Sequence, residues 1–328
     1  MLIKLWGVRG SLPAPMGTAE YRAKLKDILR RALKEGLSST KDIAPFIEGL
    51  PDQLRNVHGG NTTCVGVTSA AGNLYVLDCG TGLRILGEEL MKGDAGRGGA
   101  ELRFFITHTH WDHIQGFPFF KPAYVPGNTL HFYSPLSDIR DRFNYQQEAR
   151  FFPAPLDAMG STKHFHQIRP GEVMRFDDGI EIDCYPLKHP GGSVAYRIRE
   201  QGHTFVFATD AEFTGDYLEK IDAQDSFFEH ADLLVLDSQY TLDESFSKFD
   251  WGHTSYTMAV NCGIRWKVKN LALTHHEPAY LDQKLTTIYR DALKHRKLMK
   301  SALPNIFLAT EQMSFQVGPP AGRRTASP

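Results

Sequence analysis

Residues Leu102-Arg-Phe-Phe-Ile106 form an apolar run that breaks off at Thr107-His108-Thr109-His110-Trp111-Asp112-His113. A short apolar run predicts a buried strand, so the polar cluster falls on a loop at that strand's C-terminal end, where α/β folds tend to keep their sites. Packing gives no reason to place three imidazoles and a carboxylate within six residues there. Metal chemistry does, because these are ligand types of first-row divalent ions, and the alternation lets His108 and His110 serve one ion while Asp112 and His113 serve another. The alternative is a solvated polar loop, which leaves the histidines unexplained.

The rest of the chain predicts the frame around that loop. Strand signals come in two blocks with helical periodicity between them, an α/β layout. Leu2 to Val8, Cys64 to Ser69, Asn73 to Asp78 and Leu102 to Thr107 make the first block. Glu172 to Phe176, Ile180 to Leu187, Ser193 to Arg199, Thr204 to Thr209, Leu233 to Leu236, Leu271 to Thr274 and Ile306 to Ala309 make the second. Between the first two strands, 17–57 is expected as a helical insertion, a lid or flank, with an amphipathic helix from Thr18 to Gly36 that carries Leu25, Ile28, Leu29, Ala32 and Leu33 on one face. Residues 118–166, rich in aromatic residues and proline, are expected as a second insertion, with Trp111 and Phe117 to Phe120 either stacking a base or joining the core. Late helices are predicted over Ser255 to Lys267 and Asp282 to Ala302. One domain is thus expected over 1–317, followed by a disordered tail at 318–328 that has almost nothing to bury.

The histidine motif resembles the metallo-β-lactamase superfamily, in which such a segment supplies ligands to two metals and three later strand-end residues complete the site. The resemblance implies an αββα sandwich of two β-sheets flanked by helices. It also implies that His189, which follows Leu187 and precedes Pro190-Gly-Gly192, is the third histidine of one metal; that Asp210, closing Phe205-Val-Phe-Ala-Thr209, bridges both; and that His275, closing Leu271-Ala-Leu-Thr274, is the last ligand. The adjacent His276 competes for that last role. His108, His110 and His189 would then hold one ion, Asp112, His113 and His275 the other, with Asp210 between them. Asp78, in Tyr75-Val-Leu-Asp78-Cys-Gly-Thr-Gly82, resembles the family's strand-end aspartate that supports the metal loop from behind. His58, His131, His164, His166, His203, His230 and His295 are assigned no metal role.

Two further stretches resemble the ribonuclease Z and cyclic phosphodiesterase branch of that superfamily. Gly252-His253-Thr-Ser255 is similar to a motif whose histidine protonates the leaving group, and Asp237, in Leu233-Leu-Val-Leu-Asp237, corresponds to the acid that orients it. Trp6-Gly-Val-Arg9-Gly and His58-Gly-Gly-Asn61 are similar to a bacterial group of the branch, which makes Arg9 and Asn61 either substrate-phosphate contacts or turn supports. The expectation is phosphodiester hydrolysis by a metal-bridging hydroxide, with His253 as general acid and Asp112 and Asp237 assisting. The ions are two divalent metals, zinc first, with manganese and iron served by the same ligand types. A carboxylic substrate, tRNA processing and a non-catalytic sensor are the alternatives.

Charge narrows the substrate. The 37 basic residues stand against 38 acidic ones, a formal net charge of −1, so no global field draws in a long polyanion. Ribonuclease Z enzymes carry a tRNA-gripping arm between the third histidine and the bridging aspartate, whereas only 20 residues separate His189 from Asp210. A small phosphodiester, such as a cyclic nucleotide, is therefore expected rather than a long nucleic acid, and a homodimer is compatible with the sequence. The N-terminus lacks a signal-peptide pattern, no run is apolar and long enough for a membrane span, and Cys64, Cys79, Cys184 and Cys262 show no C-x-x-C spacing; together these features point to a reducing cytoplasm.

Overall fold

The computed structural model describes residues 1–214 and 227–319. Two seven-stranded sheets face each other. The first runs β14-β1-β2-β3-β4-β5-β6, built from β1 (Leu2–Gly7), β2 (Cys64–Thr68), β3 (Leu74–Leu77), β4 (Glu101–Phe105), β5 (Thr129–Ser134), β6 (Thr162–Gln167) and β14 (Ser314–Gln316). The second runs β13-β12-β11-β10-β9-β8-β7, from β7 (Met174–Arg175), β8 (Glu181–Leu187), β9 (Ser193–Glu200), β10 (His203–Ala208), β11 (Leu233–Asp237), β12 (Asn270–Thr274) and β13 (Asn305–Leu308).

Period-two alternation sorts each strand between two cores. On β4, Phe105 points between the sheets, where it joins Val65, Leu77, Tyr196, Phe207 and Val235. Leu102 and Phe104 point outward, onto Leu83, Phe120, Phe132 and Phe143. Leu234, Leu236 and Leu273 of the second sheet point outward onto Val260 and Ala292. The result is the helix-sheet-sheet-helix sandwich that the resemblance implied. All four cysteines are buried free thiols.

One expectation is corrected. Residues 118–166 are not an insertion set apart from the sheets, because β5 and β6 lie within them and extend the first sheet in parallel register beyond β4 (Phe104↔Phe132, Phe132↔Phe165). Phe117 and Phe120 are core, whereas Trp111 is 78% exposed and Phe119 56%. The amphipathic helix does form, as α1 (Thr18–Lys34), with Gly36 at φ 73° just past its end, but its stripe does not reach the core: Leu25, Leu29 and Leu33 are exposed. The late helices run over Tyr256–Arg265, capped by Ser255, and over Asp282–Leu298. Asp282 does not cap its helix; its carboxylate binds His58 and Lys24 instead. Of the tail expected at 318–328, residues 320–328 lie outside the described residues.

Candidate metal centre

Strands β10, β11 and β12 are parallel neighbours, with Ala208 beside Leu236 and Asp237 beside Thr274. Their C-terminal ends therefore set Asp210, Asp237 and His275 side by side. The loop after β8 brings His189 to the same edge, and the ends of β3 and β4 bring Asp78 and the histidine loop from the first sheet. Asp78, Asp210 and His275 all adopt positive φ, at 58°, 52° and 61°. A non-glycine residue rarely sits there, and a left-handed residue at a strand end turns its side chain sharply out of the pleat.

The predicted ligands fall into two clusters that share Asp210. In the first, His110 Nδ1 lies 3.0 Å from both His108 Nε2 and His189 Nε2, and Asp210 Oδ2 lies 3.6 Å from each of those two nitrogens. In the second, His113 Nε2 is 3.2 Å from Asp112 Oδ2 and 3.0 Å from Asp210 Oδ1, while His275 Nε2 is 3.2 Å and 3.1 Å from the same two oxygens. Within each cluster one ligand atom per residue fits inside a 4.8 Å span.

These donors fit a pair of divalent ions. Ligand atoms about 2 Å from a tetrahedral ion lie roughly 3.3 Å apart, close to the spacings here. The fully buried His113 Nε2 stands beside two carboxylates yet hydrogen-bonds to neither, so this nitrogen is directed at the space between them, where an ion would take the place of its proton. The opposite ring nitrogens are held from outside. His113 Nδ1 donates to Asp78 Oδ2 at 2.8 Å, His189 Nδ1 donates to the Gly252 carbonyl at 2.9 Å, and His108 Nδ1 pairs with Thr107 Oγ1 at 3.0 Å. Asp78 itself accepts from the Thr107 amide and hydroxyl, both at 2.8 Å. Fixing the far nitrogen fixes the tautomer that faces the ion.

Electrostatics separate the two clusters. Burial, reinforced by His113, holds His108 well below the ordinary imidazole range. Burial works the same way on His113, but the carboxylates of Asp210, Asp112 and Asp78 carry it well above that range, and His275, also opposed by burial, is raised to about 9 by Asp210 and Asp112. Burial disfavours the charged forms of Asp112 and Asp210, yet the surrounding imidazoles keep both well below the carboxylate range. The two acids are therefore ionised and ready to meet cations.

His253 Nδ1 donates to Asp237 Oδ2 at 2.7 Å, and its ring stacks on His275 at 4.9 Å between centroids. Gly252 beside it has φ 86°, and a Cβ there would lie 2.3 Å from His189 Nδ1. His276 is turned away, its Nε2–H donating to the Ala309 carbonyl at 2.8 Å. Of the two roles open to Arg9 and Asn61, substrate contact and turn support, their hydrogen bonds suit the second. The buried Arg9 guanidinium donates to the carbonyls of Gly59, Glu277 and Tyr280, and Asn61 donates to Glu311 through its amide and its side chain.

Sequence reasoning missed several supports. The Ser11 amide donates to Asp112 Oδ2 at 2.9 Å. Buried Glu212 accepts from the Gly252 amide and pairs with Lys188 at 2.8 Å, tying the segment that bears His253 to the strand end that bears His189. Glu212 lies two residues after Asp210 and Lys188 just before His189, but nothing in that spacing says that they meet.

The family model described as a beta-lactamase superfamily domain matches residues 75–276. A ribonuclease Z of Prochlorococcus marinus (strain MIT 9301) is 22% identical over 327 residues, covering 82% of this chain and 96% of that protein. Among solved structures, the metallo-beta-lactamase fold protein YhfI of Bacillus subtilis matches with TM-score 0.61 at 16% identity, covering 96% of this chain and 98% of that one. Human tRNase Z, short form, matches with TM-score 0.58 at 17% identity, covering 97% and 99%. With its sandwich and double His/Asp cluster, this chain belongs to the beta-lactamase superfamily and is a metallo-β-lactamase-fold hydrolase.

Proposed function

We propose that this hydrolase is a two-metal phosphodiesterase acting on a small phosphodiester such as a cyclic nucleotide. The carrying observation is the pair His253–Asp237 beside the double cluster. His108, His110, His189 and Asp210 would hold one ion, and Asp112, His113, His275 and Asp210 the other, zinc being the first choice for this donor set. Two divalent ions bound there supply charge against phosphoryl oxygens and acidify water for attack at neutral pH.

The chain's own residues do the rest. Asp237 fixes His253 with its proton-bearing Nδ1 inward, so Nε2 is the atom that delivers a proton to the departing oxygen. An alkoxide leaving from a phosphodiester needs that donor, whereas opening a β-lactam or expelling a thiolate needs it less. The segment between His189 and Asp210 is consumed by the antiparallel hairpin β9–β10, which leaves no length for a tRNA-gripping arm at that place. This supports a small substrate.

Processing of tRNA is the second reading, favoured by the ribonuclease Z relatives. Turnover of 2′,3′- and 3′,5′-cyclic nucleotides, bis(p-nitrophenyl) phosphate, a precursor tRNA, nitrocefin and a thioester by the metal-loaded protein tests both. Cyclic nucleotide hydrolysis without tRNA cleavage supports the proposal. Efficient cleavage of precursor tRNA replaces it with the second reading, and turnover of only nitrocefin or the thioester rejects phosphodiester chemistry altogether.

A further inference from the structure

At the rim of the first sheet, away from the ligands just described, three histidines meet on one face of two neighbouring strands. In the parallel register of β5 and β6, His131 lies beside His164 and Tyr133 beside His166. Strand alternation puts all three imidazoles on the same side. Their rings stack, His131 to His164 at 5.0 Å and His131 to His166 at 5.3 Å. His131 Nδ1 is 3.0 Å from His166 Nε2, the same separation that His110 shows to His108 and His189 in the metal centre.

The surroundings suit a cation. His131 Nε2 lies 3.4 Å from Glu101 Oε1, so a His131 that coordinates through Nδ1 carries its proton on the nitrogen facing a carboxylate. That repeats the way Asp78 backs His113. Arg103, the nearest positive charge, is paired with Glu101 at 2.6 Å and spreads over the Tyr75 and Phe176 rings. Burial, followed for His166 by the neighbouring His164, lowers the proton affinity of His131 and His166, which keeps both as neutral ligands near pH 7. Tyr133 stacks on His166 at 4.6 Å and fixes its ring, while His164 is exposed and stacks on His131, so it joins as the third ligand only by turning its ring toward the pair.

We propose that His131, His166 and His164 form a third metal site, separate from the hydrolytic centre, that takes a borderline divalent ion such as Zn2+ or Cu2+. Imidazole donors select these ions over magnesium or calcium, and Cu2+ binds tighter than Zn2+ on the Irving–Williams order. Binding replaces the His131–His166 hydrogen bond with two metal–nitrogen bonds, and the ring that donates in that hydrogen bond moves its proton through solvent to its other nitrogen, so that each ring carries one proton on the nitrogen facing away from the ion. It also crosslinks β5 to β6, the outermost strand of the sheet.

The test uses the full chain with its hydrolytic metals in place, dialysed to equilibrium against micromolar Zn2+ and then analysed for metal. Wild type is expected to carry one more equivalent per chain than His166→Asn, with turnover of bis(p-nitrophenyl) phosphate, where the protein shows it, unchanged by the substitution. Should His166→Asn fold poorly, His164→Asn, an exposed change on the edge strand, is expected to weaken the extra equivalent as well. With Cu2+, the electron paramagnetic resonance spectrum of wild type should show coupling to several imidazole nitrogens that His166→Asn loses. Equal metal content in wild type and both variants, or a copper signal that neither variant alters, overturns the proposal. Because the readout is metal bound rather than activity, a hydrolase inactive on every phosphodiester would leave this test intact.

Discussion

Asp237 holds His253 with the same carboxylate oxygen, Oδ2, that accepts the main-chain amide of Asp210, at 2.7 Å and 3.0 Å respectively. Its Oδ1 accepts the amides of Gln239 and Thr254, both at 3.1 Å. One fully buried acid therefore locks the proposed proton donor and the residue shared by the two clusters into a single frame. His253→Asn should retain both metals and lose turnover by roughly 10²–10⁴-fold, the usual contribution of a positioned acid. The loss should be large for substrates with alkyl leaving groups and small for p-nitrophenyl esters, whose leaving group departs without help. Equal losses on both would remove the general-acid role.

Asp210 divides its oxygens between the two clusters, Oδ2 toward His108 and His189 and Oδ1 toward His113 and His275. Removing it leaves both sets of imidazoles without their common anion. Asp210→Ala should therefore bind neither ion stably and show no hydrolysis at any metal concentration, as read by elemental analysis and turnover. A variant that keeps a full metal complement would show that the other ligands suffice.

Gly252 links the segment of the proposed proton donor to the proposed metal ligand His189. Its positive φ disfavours any side chain, and a Cβ there would press on His189 Nδ1 and on Pro190, 2.4 Å away, breaking the bond from His189 to the Gly252 carbonyl. Gly252→Ala is expected to lower affinity at the cluster of His108, His110 and His189 while leaving the other cluster occupied. Loss of a hydrogen bond that orients a metal-binding histidine typically costs about 10–100-fold in metal affinity. Stepwise chelator competition that removes one ion from the variant earlier than from wild type is the expected result.

Most of the candidate metal centre was legible because the residues that cluster there end apolar strands, and a polar residue that stops a buried run is conspicuous in a sequence. What sequence could not show was pairing. β5 and β6 carry histidine, lysine and threonine at the rim of the sheet, so their alternation reads as surface, and only register against β4 reveals them as sheet. Glu212 and Lys188 hold the His253 segment through contacts between elements far apart in the chain. The sequence leaves Arg9 open between a phosphate contact and a turn support because charge near a site motif fits either, and its hydrogen bonds go to main-chain carbonyls that need a donor. The aliphatic stripe of α1 obeys helical periodicity without facing any core, which shows that periodicity states what a helix can bury and not what lies beside it.

The choice between His275 and His276 also needed the structure, and it carries a pH dependence. His275 turns into the metal centre at positive φ, while His276 is 2% exposed and bonded to the Ala309 carbonyl. Burial, only partly offset by that bond, lowers the proton affinity of His276 to about 3. The unfolded chain takes up a proton near pH 6.5 that the folded chain refuses, so this residue's contribution to stability is complete above that pH. It is lost progressively as pH falls from 6.5 toward 3, and the loss at pH 4 is on the order of 3 kcal/mol. His276→Gln keeps an N–H for the Ala309 carbonyl but cannot titrate. Denaturant unfolding of the metal-saturated proteins at about pH 7 and about pH 4.5 should show wild type losing more stability than the variant over that interval. A variant that loses as much as wild type would mean that other groups set the acid limb.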